Sequence, residues 1–290
     1  MNFNIYLTYF YIFVFLKRKT MSLYQRIANQ LQFVTPRFYK ERYFKNLKHV
    51  SKDNYSKKNI EPELIWIKDI LSEDSVMLDI GANNGSFLFQ LEQKLFPENL
   101  HAFEPNKKLF SRLKRIFPRV NIYPFALSDA NGTAEFKIPV VNGKSYDSRG
   151  TLQLDYREED EENHTIQKVQ IIKLDDWEIG KTLHKIDFIK IDVEGNEMRT
   201  LFGGEQLIKK HQPTLMVEME QRHHSETLSD LIKLIEYWNY TAFYLNRKSF
   251  DLEKLTKELI NEQIHNRLLN KEVYINNIIF VPNSPKPANI

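Results

Sequence analysis

The sequence predicts an α/β fold of the Rossmann-like kind, a mostly parallel sheet covered by helices on both faces. Three observations predict it. From residue 61 on, short apolar runs alternate with stretches of helical periodicity, the pattern of strand–helix–strand crossovers. The run 76–80 (VMLDI) passes directly into Gly81-Ala82-Asn83-Asn84-Gly85, a strand-to-helix turn of the sort that faces a ligand in open α/β sheets. A second acidic strand end, Glu104-Pro105, follows about 20 residues later, the spacing of a ribose-binding carboxylate.

The 290 residues suffice for one large domain with additions. Hydrophobic residues make up 42%, enough for a core. The 41 basic residues nearly cancel the 38 acidic ones, and no basic stripe interleaves with aromatics, so nucleic acid is not expected as a partner. The chain has no cysteine, which excludes disulfides, thiolate metal sites and cysteine nucleophiles.

Residues 3–16 (FNIYLTYFYIFVFL) form an uncharged run before Lys17-Arg18-Lys19. The run is shorter than the ~20 residues of a spanning helix. It lacks the basic start and small-residue cleavage site of a secretory signal. Two readings stay open: a start codon upstream of a true start at Met21, or a membrane-surface anchor with a basic stop. Residues 21–60 are expected as a helical extension, 61–283 as the main domain with an acidic insert at 142–167, and 284–290 as a tail. The expected location is cytoplasmic, with membrane contact only through residues 1–20. Oligomeric state is not legible.

Within the domain, Glu61-Pro62 opens a helix to Ile70, with proline at an early position where its missing N–H costs nothing. Strand one (76–80) is an apolar run bounded by Gly81, as a buried parallel strand is. A helix is expected at 85–95, a strand at 100–104 and a helix at 106–117 that Pro118 stops. A third strand is expected at 121–125. The segments 133–138 and 169–174 read as a hairpin-like pair around the insert. A fourth strand at 186–192 precedes a single helix over 196–211 and a fifth strand at 214–220. A helix at 225–237, a sixth strand at 240–245, a charged helical segment and a last strand at 273–281 close the chain.

Gly81 lets the turn after strand one bend sharply. The dinucleotide fingerprint needs glycine where Asn83 stands, and a carboxylate at Asp79 repels a pyrophosphate. Asp79 suits a ligand with an ammonium and a sulfonium, which favours S-adenosyl-L-methionine over a nicotinamide cofactor. Glu104 is placed to accept hydrogen bonds from two ribose hydroxyls; a helix N-terminal charge is a compatible second role. After strand three, Ser128-Asp129 brings a carboxylate suited either to an adenine amine or to the turn before Asn131-Gly132.

Alternation puts Lys190, Asp192 and Glu194 on one face of strand four. Charges at the end of a central strand are costly unless paired or facing a cleft, so a cleft is expected there, with a Lys–Asp pair closing the sheet end as the plainer reading. His223 and His224, after strand five, read as solvated loop residues, with a base near the cleft as the alternative. Their spacing with Glu218 and Glu220 makes no metal framework. Asp175-Asp176 reads as a cap for a helix beginning near Trp177. Tyr146, Arg149 and Tyr156 in the insert are expected on a loop surface, with contact to a sugar as the alternative.

The segments VMLDIGANNGSF, HAFEP, FALSDANGTAEF, LDDW and IDFIKIDVEGNEMRTLFGGEQLIKKHQPTLMVE resemble the FkbM family of methyltransferases in order and spacing, over about residues 75–220 and more loosely over 240–281. The resemblance implies a seven-stranded methyltransferase fold with an antiparallel last strand. It also implies methyl transfer to an oxygen, commonly a hydroxyl on a sugar or natural product. By position, Asp79, Gly81, Asn83 and Gly85 would line the methionine end of the cofactor. Glu104 would hold the ribose, Ser128 and Asp129 the adenine, while Asp192 and Glu194 would face the methyl group and the acceptor. The insert is longer and more acidic than the family pattern, which leaves the acceptor open. An alcohol is a weak nucleophile, so a general base helps; Asp192 or Glu194 is expected in that role, oriented by Lys190. The competing readings are a catalytically inactive binding or scaffold protein of the same fold and a nicotinamide-dependent oxidoreductase.

Overall fold

The computed structural model describes residues 23–266 and 274–283; the apolar run, Met21 and the tail lie outside the described residues. Two helices, α1 (Leu23–Val34) and α2 (Pro36–Tyr43), precede the domain. Tyr39 and Phe44 bury their rings against it, Phe44 stacking on Phe89 with ring centroids 4.7 Å apart. Helix α3 (Glu63–Ile70) follows Pro62. Then come β1 (Met77–Ile80), α4 (Ser86–Leu91), β2 (Leu100–Phe103), α5 (Lys107–Ile116) and β3 (Asn121–Tyr123). Helix α5 is capped as its sequence dictates, with the Asn106 side chain accepting from the N–H groups of Lys108 and Leu109.

The third strand is not continuous. At Pro124 the chain leaves the main sheet, and β4 (Phe125–Leu127) joins a second sheet with β5 (Gly132–Val141), β6 (Lys144–Ser145) and β7 (Asn163–Ile172), in the order β4-β7-β5-β6. A proline has no N–H for a ladder, so it marks the natural place to change sheets. The expected hairpin-like pair is the β5/β7 antiparallel ladder, which extends further toward the insert than expected, to Val141 and back to Asn163, while β7 ends at Ile172, short of the expected 174.

After α6 (Glu178–Thr182) come β8 (Phe188–Ile191), α7 (Glu197–Phe202), α8 (Glu205–His211), β9 (Thr214–Glu218), α9 (Leu228–Glu236) and β10 (Tyr240–Leu245). A short strand β11 (Leu252–Lys254), helix α10 (Lys257–Asn266) and β12 (Asn277–Pro282) complete the described chain. The helix expected over 196–211 breaks at Gly203-Gly204. The carboxylate of Asp175 accepts from Gln206 N (3.1 Å) and Leu207 N (2.8 Å). It therefore caps α8, and not the helix near Trp177 as the sequence suggested.

The main sheet runs β11-β10-β12-β9-β8-β1-β2-β3. Strand β12 is antiparallel to both neighbours, and the β3-β2-β1-β8-β9 run is parallel. The fold is thus the expected Rossmann-like one, with an eighth strand, β11, added as an antiparallel edge. Period-two alternation divides the apolar side chains between two cores. Leu78, Ile80, Ile189, Ile191, Leu215 and Val217 face α7, α8 and α9. Met77, Phe188, Met216 and Ile279 face α3, α4 and the N-terminal helices. Strands buried on both faces read as continuous apolar runs, as VMLDI does.

Candidate functional site

The carboxyl ends of β1, β2, β4 and β8 surround a cleft of about 530 Å³, part of it open to solvent. Its walls combine apolar side chains such as Ile80, Phe103 and Leu127 with the polar groups of Asn83, Glu104 and Asp192. Such a cleft beside the switch from β1 to β8 is where an open α/β sheet binds ligands.

Gly81 lies in the left-handed region at φ +80°, and a Cβ there would stand 1.8 Å from the Asp192 carbonyl oxygen. The chain needs glycine both for that conformation and for the close approach of β1 and β8. Asn83 also adopts positive φ (+51°). Its N–H donates to Glu104 Oε2 at 2.8 Å, while Asn106 N–H donates to Glu104 Oε1 at 2.8 Å. Each oxygen of Glu104 so spends one lone pair on the backbone and keeps capacity for another donor. Burial pushes the Glu104 carboxyl up to about 7, against the two N–H groups that favour its charge. Gly85 is set back from the cleft, packed against Phe117 and Leu113.

Behind this loop lies a charged group at the sheet end. Asp79 is buried on β1, beside Lys190 on β8, with Lys190 Nζ 3.6 Å from Asp79 Oδ1 and 3.0 Å from Asp192 Oδ2. Burial alone would lower the Lys190 ammonium, but Asp192 and Asp79 hold it above its ordinary value. Burial raises Asp79, whose Oδ1 has no hydrogen-bond partner among the described residues. Asp192 is also hydrogen-bonded to Glu218 at the end of β9. Repulsion from Asp192 drives Glu218 well above the carboxylate range, while Lys190 overcomes burial to keep Asp192 low. Of the two, Asp192 is the one that favours the charged form and Glu218 the one that favours the proton.

Glu194 departs from the expected alternation. The strand ends at Ile191, and the chain turns through Glu194 at φ +51° and Gly195 at φ +97°. Glu197 Oε1 holds this turn by accepting from Val193 N (3.2 Å) and Gly195 N (2.9 Å). Lys190 and Asp192 stay together, while the Glu194 carboxylate lies 3.6 Å from Arg222 and 3.5 Å from His223 Nε2. The histidines are not solvated: the side chains of His223 and His224 are only 5% and 6% exposed. Ser128 is buried beyond Leu127, with its hydroxyl donating to Asp129 at 3.2 Å, and Asp129 is exposed. Neither Ser128 nor Asp129 lines the cleft, whereas Gly81, Asn83, Glu104, Asp192 and Glu194 do.

The insert roofs the cleft. Asn83 Nδ2 donates to Ser148 O (3.3 Å), Asn106 Nδ2 to Asp147 (3.4 Å), Thr151 Oγ1 to Glu194 O (2.6 Å) and Gln153 Nε2 to Gly195 O (2.9 Å). Tyr156 is tied in as well, with Arg222 donating to its hydroxyl at 2.5 Å. Sequence reasoning missed Glu197, Arg222 and Asn196, the last lining the cleft and donating to Leu127 O at 2.9 Å. Only the place of Glu197 in the first turn of a helix after a glycine hinted at its role. Among the described residues, no group of His, Asp and Glu is arranged to hold a metal ion, and no helix is long and apolar enough to cross a membrane.

The pattern that defines the Methyltransferase FkbM domain matches residues 79–242, more than half of the chain. The chain belongs to this family. It is similar to the 2-O-methyltransferase NoeI of Sinorhizobium fredii, at 29% identity over 152 residues, 47% of this chain and 60% of NoeI. It is also similar to the AMB antimetabolite synthetase AmbE of Pseudomonas aeruginosa, at 24% identity over 226 residues, 64% of this chain and 10% of AmbE. The chain therefore spans less than two thirds of either curated relative. Among solved structures, a methyltransferase FkbM from Methylobacillus flagellatus KT aligns with a TM-score of 0.40 and 18% identity, over 63% of this chain and 43% of that one.

Proposed function

We propose that this FkbM-family chain is an S-adenosylmethionine-dependent methyltransferase acting on a hydroxyl of a sugar, glycan or small hydroxylated metabolite. The observation that carries the reading is Glu104, buried at the cleft and held by two backbone N–H groups with its remaining lone pairs open to a diol. The acidic lining of Glu104, Asp192 and Glu194 and the apolar wall of Ile80, Phe103 and Leu127 also fit a ligand with a cationic end and a purine end.

When bound, S-adenosylmethionine supplies an electrophilic methyl group on a sulfonium. In this reading Glu104 accepts from the ribose hydroxyls, and the backbone around Gly81 and Asn83 approaches the methionine end. Asp79 and Gly85 shape that loop from behind. Ser128 and Asp129 lie outside the cleft wall, so the adenine is held by the apolar side chains of Ile80, Phe103 and Leu127. Asp192 and Glu194 stand at the acceptor end. Lys190 fixes Asp192 in place, and the negative field of the two carboxylates stabilises the positive charge that builds on the attacking hydroxyl and its departing proton. The insert excludes water and holds the acceptor near attack distance.

The test is product formation. The protein is incubated with donor labelled in the methyl group and a panel of hydroxylated acceptors, and labelled ether is measured with S-adenosylhomocysteine. Labelled ether and S-adenosylhomocysteine in equal amounts are expected. Label found only in amines or carboxylates would overturn the oxygen assignment.

A further inference from the structure

The insert and the loop after β9 enclose a small pocket that shares Glu194 with the main cleft. The His223 imidazole lies in it. Its side chain is 95% buried, since only 5% is exposed, yet neither ring nitrogen has a hydrogen-bond partner among the described residues. A buried polar ring with both nitrogens unmatched is costly, and such groups are normally paired. Nε2 faces two carboxylates just beyond hydrogen-bond range, Glu194 at 3.5 Å and Glu220 at 3.9 Å. The Tyr156 ring packs on the other side, with centroids 4.5 Å apart.

We propose that His223 is the proton acceptor for the hydroxyl to be methylated, with Glu194 and Glu220 as the carboxylates that steady its charged form. The proposal rests on the methyltransferase reading above. The oxygen–methyl bond forms as the methyl–sulfur bond breaks, and that bonding pair stays on the sulfur. The hydroxyl proton passes to the free ring nitrogen of His223, and from there to solvent when the product leaves. Its ring nitrogens carry no competing hydrogen bond among the described residues, so one is open to take a proton. Asp192 is less available, being committed to Lys190 and Glu218.

The charges around the ring agree with this role. From the β9 side it meets Glu220, Arg222 and His224; from the turn after β8, Glu194; from α7, Glu197; and from the insert, Tyr156 and Glu158. Nearby, Lys137 pairs with Glu161, and Arg149 with Glu158. In this pocket Glu158, Glu161, Glu194 and Glu220 face the fixed cations Lys137, Arg149 and Arg222. The fixed charges are already paired with one another, so the acceptor that fits is neutral and hydroxylated. Its entry requires the insert to lift, breaking the Arg222–Tyr156 and Gln153–His223 O contacts.

The test uses the full chain with S-adenosylhomocysteine bound and neutral methyl glycosides as the probe. The ring resonance of His223 is assigned by its loss in His223→Gln. It is expected to shift on addition of at least one glycoside, a readout independent of turnover. With that glycoside, His223→Gln is expected to lose at least 100-fold in kcat while binding S-adenosylhomocysteine within twofold of wild type. His223→Ala is expected to regain activity with added imidazole, which a purely structural role would not give. Failure of wild type to bind S-adenosylhomocysteine would refute the methyltransferase reading itself. Intact cofactor binding with no shift at His223, or turnover by His223→Gln within threefold of wild type, would overturn this proposal alone.

Discussion

Asp79 and Lys190 are register partners in the parallel β1/β8 ladder, and their side chains form a buried ion pair at 3.6 Å. The pair joins the two central strands at the end where the cleft opens, and Lys190 also serves Asp192. One cation therefore neutralises two carboxylates that the sheet brings together. Lys190→Met leaves both without their cation, and breaking a buried pair from one side costs about 3–5 kcal/mol. Chemical denaturation is expected to show a loss of that size, with the far-ultraviolet spectrum of the remaining folded fraction unchanged.

Gly81→Ala is expected to be worse. The new Cβ would meet the Asp192 carbonyl at 1.8 Å in a backbone at φ +80°, so β1 and β8 must part to admit it. The expected outcome is insoluble protein, or a soluble form that has lost cofactor binding. A folded variant with wild-type affinity would contradict the role given to this turn.

Glu104 makes cofactor affinity depend on pH. Its carboxyl is raised from 4.5 to about 7 in the folded protein, chiefly by burial. In the ligand-free chain a raised carboxyl favours the folded state at low pH, and that contribution is lost as pH rises from 4.5 through 7. Glu197, also raised to about 7 by burial, adds to the same trend. A ribose diol donates to the ionised form, so binding displaces a proton. Affinity for S-adenosylhomocysteine is expected to rise between pH 6 and pH 8, with proton release visible as a dependence of the heat on buffer ionisation enthalpy. In Glu104→Gln the slope should flatten.

Asp175 gives a test away from the cleft. Its carboxylate serves two N–H groups at the start of α8, so Asp175→Ala is expected to cost about 1–3 kcal/mol with cofactor affinity unchanged. Urea denaturation and calorimetry on one sample check both halves.

Much of this architecture is legible in the residues. The β1 loop and the Glu104 strand end are local signals, each a short apolar run meeting a glycine or an acid, and the mostly parallel sheet follows from their alternation with helices. What escaped depends on distant contacts. Pro124 marks a place where the strand can break, but that the chain joins a second sheet becomes clear only once β7 lies beside β4. Glu194 fits the strand alternation on paper, but Glu197 pulls the backbone into a turn and aims its side chain at the loop after β9. His223 and His224 read as loop residues because the insert that buries them is some 70 positions earlier, joined by Gln153 donating to His223 O across |i−j| = 70.

Calorimetric titration with S-adenosylhomocysteine, beside NADH as control, tests the central claim most directly. The account predicts micromolar binding of the first, none of the second, and loss of binding in Glu104→Ala. A well-folded protein that binds neither, or binds S-adenosylhomocysteine equally well without the Glu104 carboxylate, would contradict it.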